Sequence, residues 1–146
     1  MTHSLDPTAP LISIVVPTYN RAHCIDEAIR SVLAQTAQDW ELLIVDDGST
    51  DNTADILAKY GDKIRVIKQV NAGPSAARNL GARSARGKFL AFLDSDDKWL
   101  PDKLTEQLKL MSHEGVIFSA TNWQGKDDTS GITAFDSLSF NETWIC

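Results

Sequence analysis

Short apolar runs punctuate this chain at intervals that leave room for one helix between each pair. Ile12-Ser13-Ile14-Val15-Val16, Glu41-Leu42-Leu43-Ile44-Val45, Ile64-Arg65-Val66-Ile67, Phe89 to Leu93 and Val116-Ile117-Phe118 are mostly β-branched or aromatic, as strands buried on both faces tend to be. The segments between them repeat their apolar residues at helical spacing. Ile25, Ala28, Ile29, Val32 and Leu33 form one stripe, and Ala54, Leu57 and Ala58 another, with Ser49, Thr50 or Asp51 available as the N-cap. Pro74 suits the first turn of a third helix, and Pro101 that of a fourth carrying Leu104, Leu108 and Met111.

Strands alternating with helices predict an α/β fold, a mostly parallel sheet with helices on both faces, because parallel neighbours need crossover connections. Ligands on such sheets bind beyond the carboxyl ends of the strands. The unusual residues of this chain gather there: Pro17-Thr18-Tyr19-Asn20 after the first run, Asp46-Asp47-Gly48-Ser49 after the second, and Asp94-Ser95-Asp96-Asp97 after the fourth. Three loops are thereby expected to share one rim. Residues 1–10 read as a disordered leader, 11–124 as the folded domain, and 125–146 as an irregular tail rich in Gly, Ser, Thr and Asp. Phe135, Leu138, Phe140, Trp144 and Ile145 in that tail are apolar enough to want burial, as the start of a part that the chain does not finish.

Composition narrows the chemistry. The 146 residues carry a formal net charge of -6 with Lys and Arg scattered, which disfavours nucleic acid as a partner. No apolar stretch is long enough for a signal peptide or a membrane span. Cys24 and Cys146 are the only cysteines, so a disulfide framework is not expected and a cytoplasmic setting is. His3, His23 and His113 form no cluster with metal-ligand spacing.

Three acids directly after a wholly apolar strand need a cationic partner. Asp94 and Asp96, flanking Ser95, can address a divalent Mg²⁺ or Mn²⁺ whose shell a bound diphosphate completes, and the metal would then assist departure of that diphosphate. Asp46 and Asp47 suit contacts to a nucleobase or ribose, and equally an N-capping turn. Around Arg78, the run Asn71-Ala72-Gly73-Pro74-Ser75-Ala76-Ala77 offers helix N–H groups and a guanidinium to an anion. Ala76, Ala77 and Gly81 suit close helix-to-sheet packing just as well. Trp40, Trp99, Trp123 and Trp144 read as core or rim aromatics rather than sugar platforms.

Five blocks in order, Ile14 to Arg21, Ser31 to Thr36, Val45 to Asp51, Ala76 to Gly81 and Phe92 to Asp97, resemble the family 2 glycosyltransferases of the GT-A fold over Leu11 to about Thr121. The resemblance implies a Rossmann-like donor-binding domain of a bacterial polysaccharide enzyme. Its reaction would move sugar from a nucleotide-diphosphate donor, usually a UDP-sugar, to a saccharide or lipid-linked acceptor hydroxyl, with inversion. It also implies that Pro17, Thr18, Tyr19 and Asn20 line the nucleotide pocket and that Asp46 and Asp47 belong to it, Asp47 meeting the base. Arg78, Asp94 and Ser95 would contact the donor, and Asp96 with Asp94 would hold Mn²⁺ or Mg²⁺. Family members run longer and supply a base for the acceptor hydroxyl. No matching segment follows Val116, Asp136 and Glu142 being weak candidates, so the chain is expected to bind donor while transferring weakly or not at all, with membrane association falling to missing parts.

Two other readings compete. A non-catalytic nucleotide-binding module keeps the rim without turnover. A haloacid-dehalogenase-type phosphatase would use Asp94 as nucleophile and Asp96 as acid, but its motif sits on the first strand and expects Thr or Val where Lys98 stands. A dinucleotide dehydrogenase is disfavoured further, because the first strand leads into Pro17-Thr18-Tyr19-Asn20 and not into G-x-G-x-x-G.

Overall fold

A computed structural model describes residues 9–113 and 116–119. Its elements alternate as the apolar runs predict: β1 (Ile12–Thr18), α1 (Ile25–Leu33), β2 (Trp40–Asp46), α2 (Thr53–Ala58), β3 (Arg65–Lys68), α3 (Pro74–Ser84), β4 (Phe89–Phe92) and α4 (Lys103–Met111), with a 3₁₀ turn at Gly61–Lys63. The strands form one parallel sheet in the order β3-β2-β1-β4. Ile14 lies opposite Leu42 on one side and Ala91 on the other, and Val45 lies opposite Ile67.

Position in the sheet explains the sequence of each strand. β1 is paired on both edges and buried along its whole length. Pro17 is tolerated in this central strand because the β4 pairing stops at Val15, so the N–H that proline lacks is not called for on that side. Among the described residues β3 and β4 are the edges, and along each of them half-buried and exposed residues alternate. Among the described residues no helix is long and apolar enough to cross a membrane.

The chain steps from β1 to β2 to β3 in one direction and then returns past β1 to β4. Right-handed crossovers therefore place α3 on the opposite face from α1 and α2. Alternation along the strands sends Val15, Leu43 and Val45 toward α3, where they form a core with Ala77, and Ile67 and Leu80 pack against it. The intervening Ile14, Val16, Leu42 and Ile44 are equally buried and point to the other face. The buried stripe of α1 is Ile25, Ala28, Ile29 and Val32.

Three local expectations are corrected. Val116-Ile117-Phe118 is not a strand: it pairs with no strand among the described residues, and Ile117 is 92% exposed. The N-cap of α2 is Asn52 rather than Ser49, Thr50 or Asp51, although the Asp51 carboxylate still accepts from Thr53 N at 3.0 Å from one position upstream. Pro101 precedes α4 by two residues, in the turn that leads into it. The tail from residue 125 and the leader up to residue 8 lie outside the described residues, as do Trp123 and Trp144.

The helix-packing role of Gly81 carries a test. A Cβ built there would sit 2.3 Å from Val15 Cγ1 and 3.1 Å from Val45 Cγ2, both in the core. Helix propensity alone favours Ala over Gly by about 1 kcal/mol. Overpacking at a fully buried Val outweighs that, so Gly81→Ala is expected to lower unfolding free energy by about 1–2 kcal/mol net in urea denaturation. An unchanged or raised midpoint would show that α3 lifts off the sheet without penalty.

Candidate functional site

The carboxyl ends of β1, β2 and β4 open onto one rim, at the point where the strand order reverses between β1 and β4. The loops after β1 and β2 are stitched together through Asn20. This residue adopts φ 51°, a left-handed conformation that Asn accepts better than most residues. Its Oδ1 accepts from Thr50 N at 2.7 Å and Asp51 N at 3.3 Å, while its own N donates to Ser49 Oγ at 2.9 Å. Arg21 N donates to Thr53 Oγ1 at 3.0 Å, and Ala22 N to Asp51 Oδ2 at 3.1 Å. Asn20 thus organises the rim, and Tyr19 beside it presents an exposed ring.

The two acids after β2 have different duties. Asp46 ends the strand, is buried, and accepts from Ser49 N at 2.9 Å, which closes the turn through Gly48. Gly48 has φ 79°, and a Cβ there would come 3.0 Å from Asn71 N, so the loops after β2 and β3 touch only because this residue is glycine. Asp47 reaches the other way. Its Oδ1 accepts from Gln69 Nε2 at 2.6 Å and Ala72 N at 2.8 Å, and its Oδ2 from Gly73 N at 2.8 Å. Burial pushes this carboxyl upward in pKa, but the bonds from Gln69, Ala72 and Gly73 outweigh burial and hold it below the usual carboxylate value.

That arrangement narrows one expectation. Within the run offered to an anion, the N–H groups of Ala72 and Gly73 are taken by Asp47. The start of α3 is a locked turn, with Gly73 at φ 91° and Pro74 in the first position.

After β4, Asp97 N donates to Asp94 O at 3.0 Å and folds Asp94 to Asp97 into a turn. Ser95 points inward and is buried, whereas the Asp94 and Asp96 side chains are 49% and 59% exposed. Arg78 from α3 donates through Nη2 to Asp94 Oδ1. Arg21 from the loop after β1 brings Nη2 to 3.9 Å from Asp96 Oδ2. Pro17 is buried in β1. Thr18 is 3% exposed, and its Oγ1 has no hydrogen-bond partner among the described residues. Thr18 and Asp46 thus end their strands and Tyr19, Asn20, Asp47, Asp94, Ser95 and Asp96 follow them in the adjoining loops, with Pro17 one residue inside β1.

The Ser31 to Thr36 block stood out in the sequence without an assigned task, and the structure shows it holding the segment after the acidic turn. Gln35, 1% exposed at the end of α1, donates from Nε2 to Leu100 O at 2.7 Å and Ser31 O at 3.1 Å, and accepts from Leu104 N at 3.0 Å. Ser31 Oγ accepts from Trp99 N at 3.1 Å, and Thr36 N donates to Pro101 O at 2.9 Å. A polar Gln three positions beyond the buried Val32 of an apolar stripe was the available signal. Lys103 packs its Nζ 3.6 Å from the centroid of Trp99. Burial depresses its ammonium to about 8, against which the ring face favours the cation.

Among the described residues no group of three or more His, Cys, Asp or Glu converges as a metal cage. Asp94 and Asp96 fit a different kind of site, in which one or two carboxylates hold a divalent ion and substrate phosphates complete its shell. A shallow cavity of 230 Å³ along α2 and β3 is lined by Ala54, Leu57, Ala58, Gly61, Val66 and Lys68, and Lys68 is its one charged group.

Asp47→Asn tests the lock. The amide cannot accept all three donors, and the variant is expected to lose about 1–3 kcal/mol at pH 7. Because the folded-state pKa of Asp47 is depressed, its stabilisation is present above the unfolded carboxylate value of about 3.9 and fades as pH falls through the lower folded value. The gap between parent and variant should accordingly narrow in urea titrations taken from pH 6 to pH 3. A gap independent of pH would show that the charge of Asp47 is not what holds the turn.

With this geometry established, comparison with known proteins is informative. Residues 13–143 match the family described as "Glycosyl transferase family 2". The chain is 39% identical over 127 residues to an Escherichia coli protein named UDP-Glc:alpha-D-GlcNAc-diphosphoundecaprenol beta-1,3-glucosyltransferase WfgD, covering 86% of this chain and 50% of that one. Among solved structures it resembles S. aureus TarS 1-349 in complex with UDP (TM-score 0.65, 35% identity, 68% of this chain and 31% of that one). It also resembles the mannosyltransferase PcManGT from Pyrobaculum calidifontis in complex with GDP-Man and Mn²⁺ (TM-score 0.65, 28% identity, 77% of this chain and 36% of that one). The chain spans half or less of the length of each of these three. The sheet is that of the GT-A glycosyltransferases, and the chain belongs to glycosyl transferase family 2.

Proposed function

We propose that these residues form the donor site of a glycosyltransferase that takes sugar from a UDP-sugar and passes it, with inversion, to the hydroxyl of a saccharide or lipid-linked acceptor. The observation that carries the reading is the convergence of the loops after β1, β2 and β4 on one rim, joined by Asn20, Arg21 and Arg78. Two similar proteins support the reading: TarS is known in complex with UDP, and WfgD is named for an undecaprenol diphosphate-linked acceptor. A cytoplasmic location at the inner face of a membrane follows from such an acceptor as part of the same proposal.

Each residue then has a task. Tyr19 offers an exposed ring to the base, beside Asp46 and Asp47. Asp47 holds the Gln69 to Gly73 turn as one wall of the nucleotide pocket, with acceptor capacity remaining for an imide hydrogen. Asp94 and Asp96 would hold Mn²⁺ or Mg²⁺ with the diphosphate, and the ion would supply Lewis-acid assistance to departure of the nucleoside diphosphate. Gln35 and Ser31 anchor Trp99 and Leu100, in the segment that leaves the acidic turn. Inversion also needs a base on the acceptor side. Asp136 and Glu142, the late acids, lie outside the described residues.

Calorimetric titration of UDP into the protein with Mn²⁺ present, and again with chelator, tests the donor site. Binding is expected with metal, weakening at least about tenfold on chelation and in Asp96→Ala. No binding to the parent protein under either condition would remove the reading. Thr18 supplies an independent check. A buried hydroxyl without a partner costs about 1–3 kcal/mol, and a ligand atom at the rim could satisfy it. Thr18→Val is therefore expected to raise the thermal midpoint while weakening UDP binding by about fivefold to tenfold. A variant equally stable and equally tight would show that Thr18 meets no ligand.

A further inference from the structure

Both carboxylates assigned to the divalent ion already have a partner, and in each case it is an arginine carried by a different part of the chain. Arg78 Nη2 is hydrogen-bonded to Asp94 Oδ1, and Arg21 Nη2 lies 3.9 Å from Asp96 Oδ2. One pairing ties α3 to the acidic turn, and the other ties the loop after β1 to it. Arg78 projects from α3 next to the buried Ala77, so its Cα cannot move without disturbing the core. Arg21 is equally anchored by its backbone: N donates to Thr53 Oγ1 at 3.0 Å, and O accepts from Ile25 N at 2.9 Å. Its side chain is 41% exposed and that of Arg78 35% exposed, so each can turn while its backbone stays in place.

We propose that Arg21 and Arg78 are exchangeable counter-cations that make the rim resist a divalent ion by itself and accept the ion only together with a diphosphate. The inference rests on the donor-site reading above. Its physical content is competition for the same oxygens. A divalent ion at Asp94 and Asp96 must displace guanidinium groups from them or lie beside them, and like charges at such distances repel. Taken alone, the ion leaves the displaced guanidinium groups without an anion. A nucleoside diphosphate changes the balance, because its phosphate oxygens complete the shell of the ion and also receive arginines in the fork geometry that guanidinium favours. The arginines would then oppose one ligand and favour the other, which is a coupling free energy between two binding events.

Synergy between metal and UDP would not by itself establish this, since UDP chelates metal in solution. The diagnostic is the opposite sign of two effects in one variant. In Arg21→Gln and in Arg78→Gln, Mn²⁺ titrated alone, followed by electron paramagnetic resonance, should bind about threefold to fivefold tighter, the size expected for releasing a half-exposed ion pair. UDP titrated in saturating Mn²⁺ should bind about tenfold weaker in the same proteins, and inorganic pyrophosphate should weaken in parallel. A structural defect would weaken both ligands, and matching thermal midpoints would confirm that the fold is kept.

The proposal is overturned if Mn²⁺ alone binds both variants no tighter than the parent, or if UDP weakens while pyrophosphate does not, which would place the arginines at the base. Failure of the donor-site reading looks different: the parent protein itself would then bind neither UDP nor pyrophosphate in Mn²⁺.

Discussion

A strand buried on both faces and paired on both edges can carry polar chemistry only at its ends, and β1 is such a strand. Any charge placed along Ile12 to Val16 would have to be desolvated without a partner. The same holds for the buried stretch of β2. Chemistry is thereby displaced to the residues where these strands leave the sheet. Parallel pairing then brings those exits to one side, because every strand must run the same way and every crossover must return the chain to the opposite end. The rim of Thr18, Asp46 and Asp94 is a consequence of this constraint before any particular ligand is considered.

What makes the rim a site is the way its polar groups are shared out between holding the loops and facing outward. Asn20 and Asp47 are spent largely on the chain itself, one joining the loops after β1 and β2, the other joining the end of β2 to the start of α3. Gln35 and Ser31 do the same for the segment that follows the acidic turn, working from α1 on the other side of the sheet. Tyr19, Asp94 and Asp96 are left exposed on loops that these bonds have already fixed. Arg21 and Arg78 pair with the exposed Asp96 and Asp94, so each of these two carboxylates has a cation beside it while staying open to solvent.

Much of this was legible from the order of residues. Period and length separate strand from helix, since Ile25, Ala28, Ile29 and Val32 repeat as only a helix can bury them, and Ile14-Val15-Val16 is too short and too β-branched for anything but a strand. The parallel sheet and its functional edge follow from the alternation. Val116-Ile117-Phe118 shows where such reading fails. Apolar β-branched residues have the composition of a strand, but a strand exists only by pairing, and no partner among the described residues supplies it.

By itself, the sequence determined the elements, the class of fold and the gathering of Asp46, Asp47, Asp94 and Asp96 at strand ends, because those depend on local period and on the cost of burying charge. Only the tertiary structure decided what each of these groups is for. Asp46 and Asp47 are neighbours of one type, yet one closes its own turn and the other reaches Gln69, Ala72 and Gly73, 22 to 26 residues away. Arg78 could have packed or bound, and Arg21 closed a recognisable block without an assigned task, until the return of the chain from β3 to β4 set both beside the acidic turn. Hydrogen bonds and ion pairs act over about 3–4 Å in space and are indifferent to separation along the chain, so their partners appear only once the sheet has been assembled.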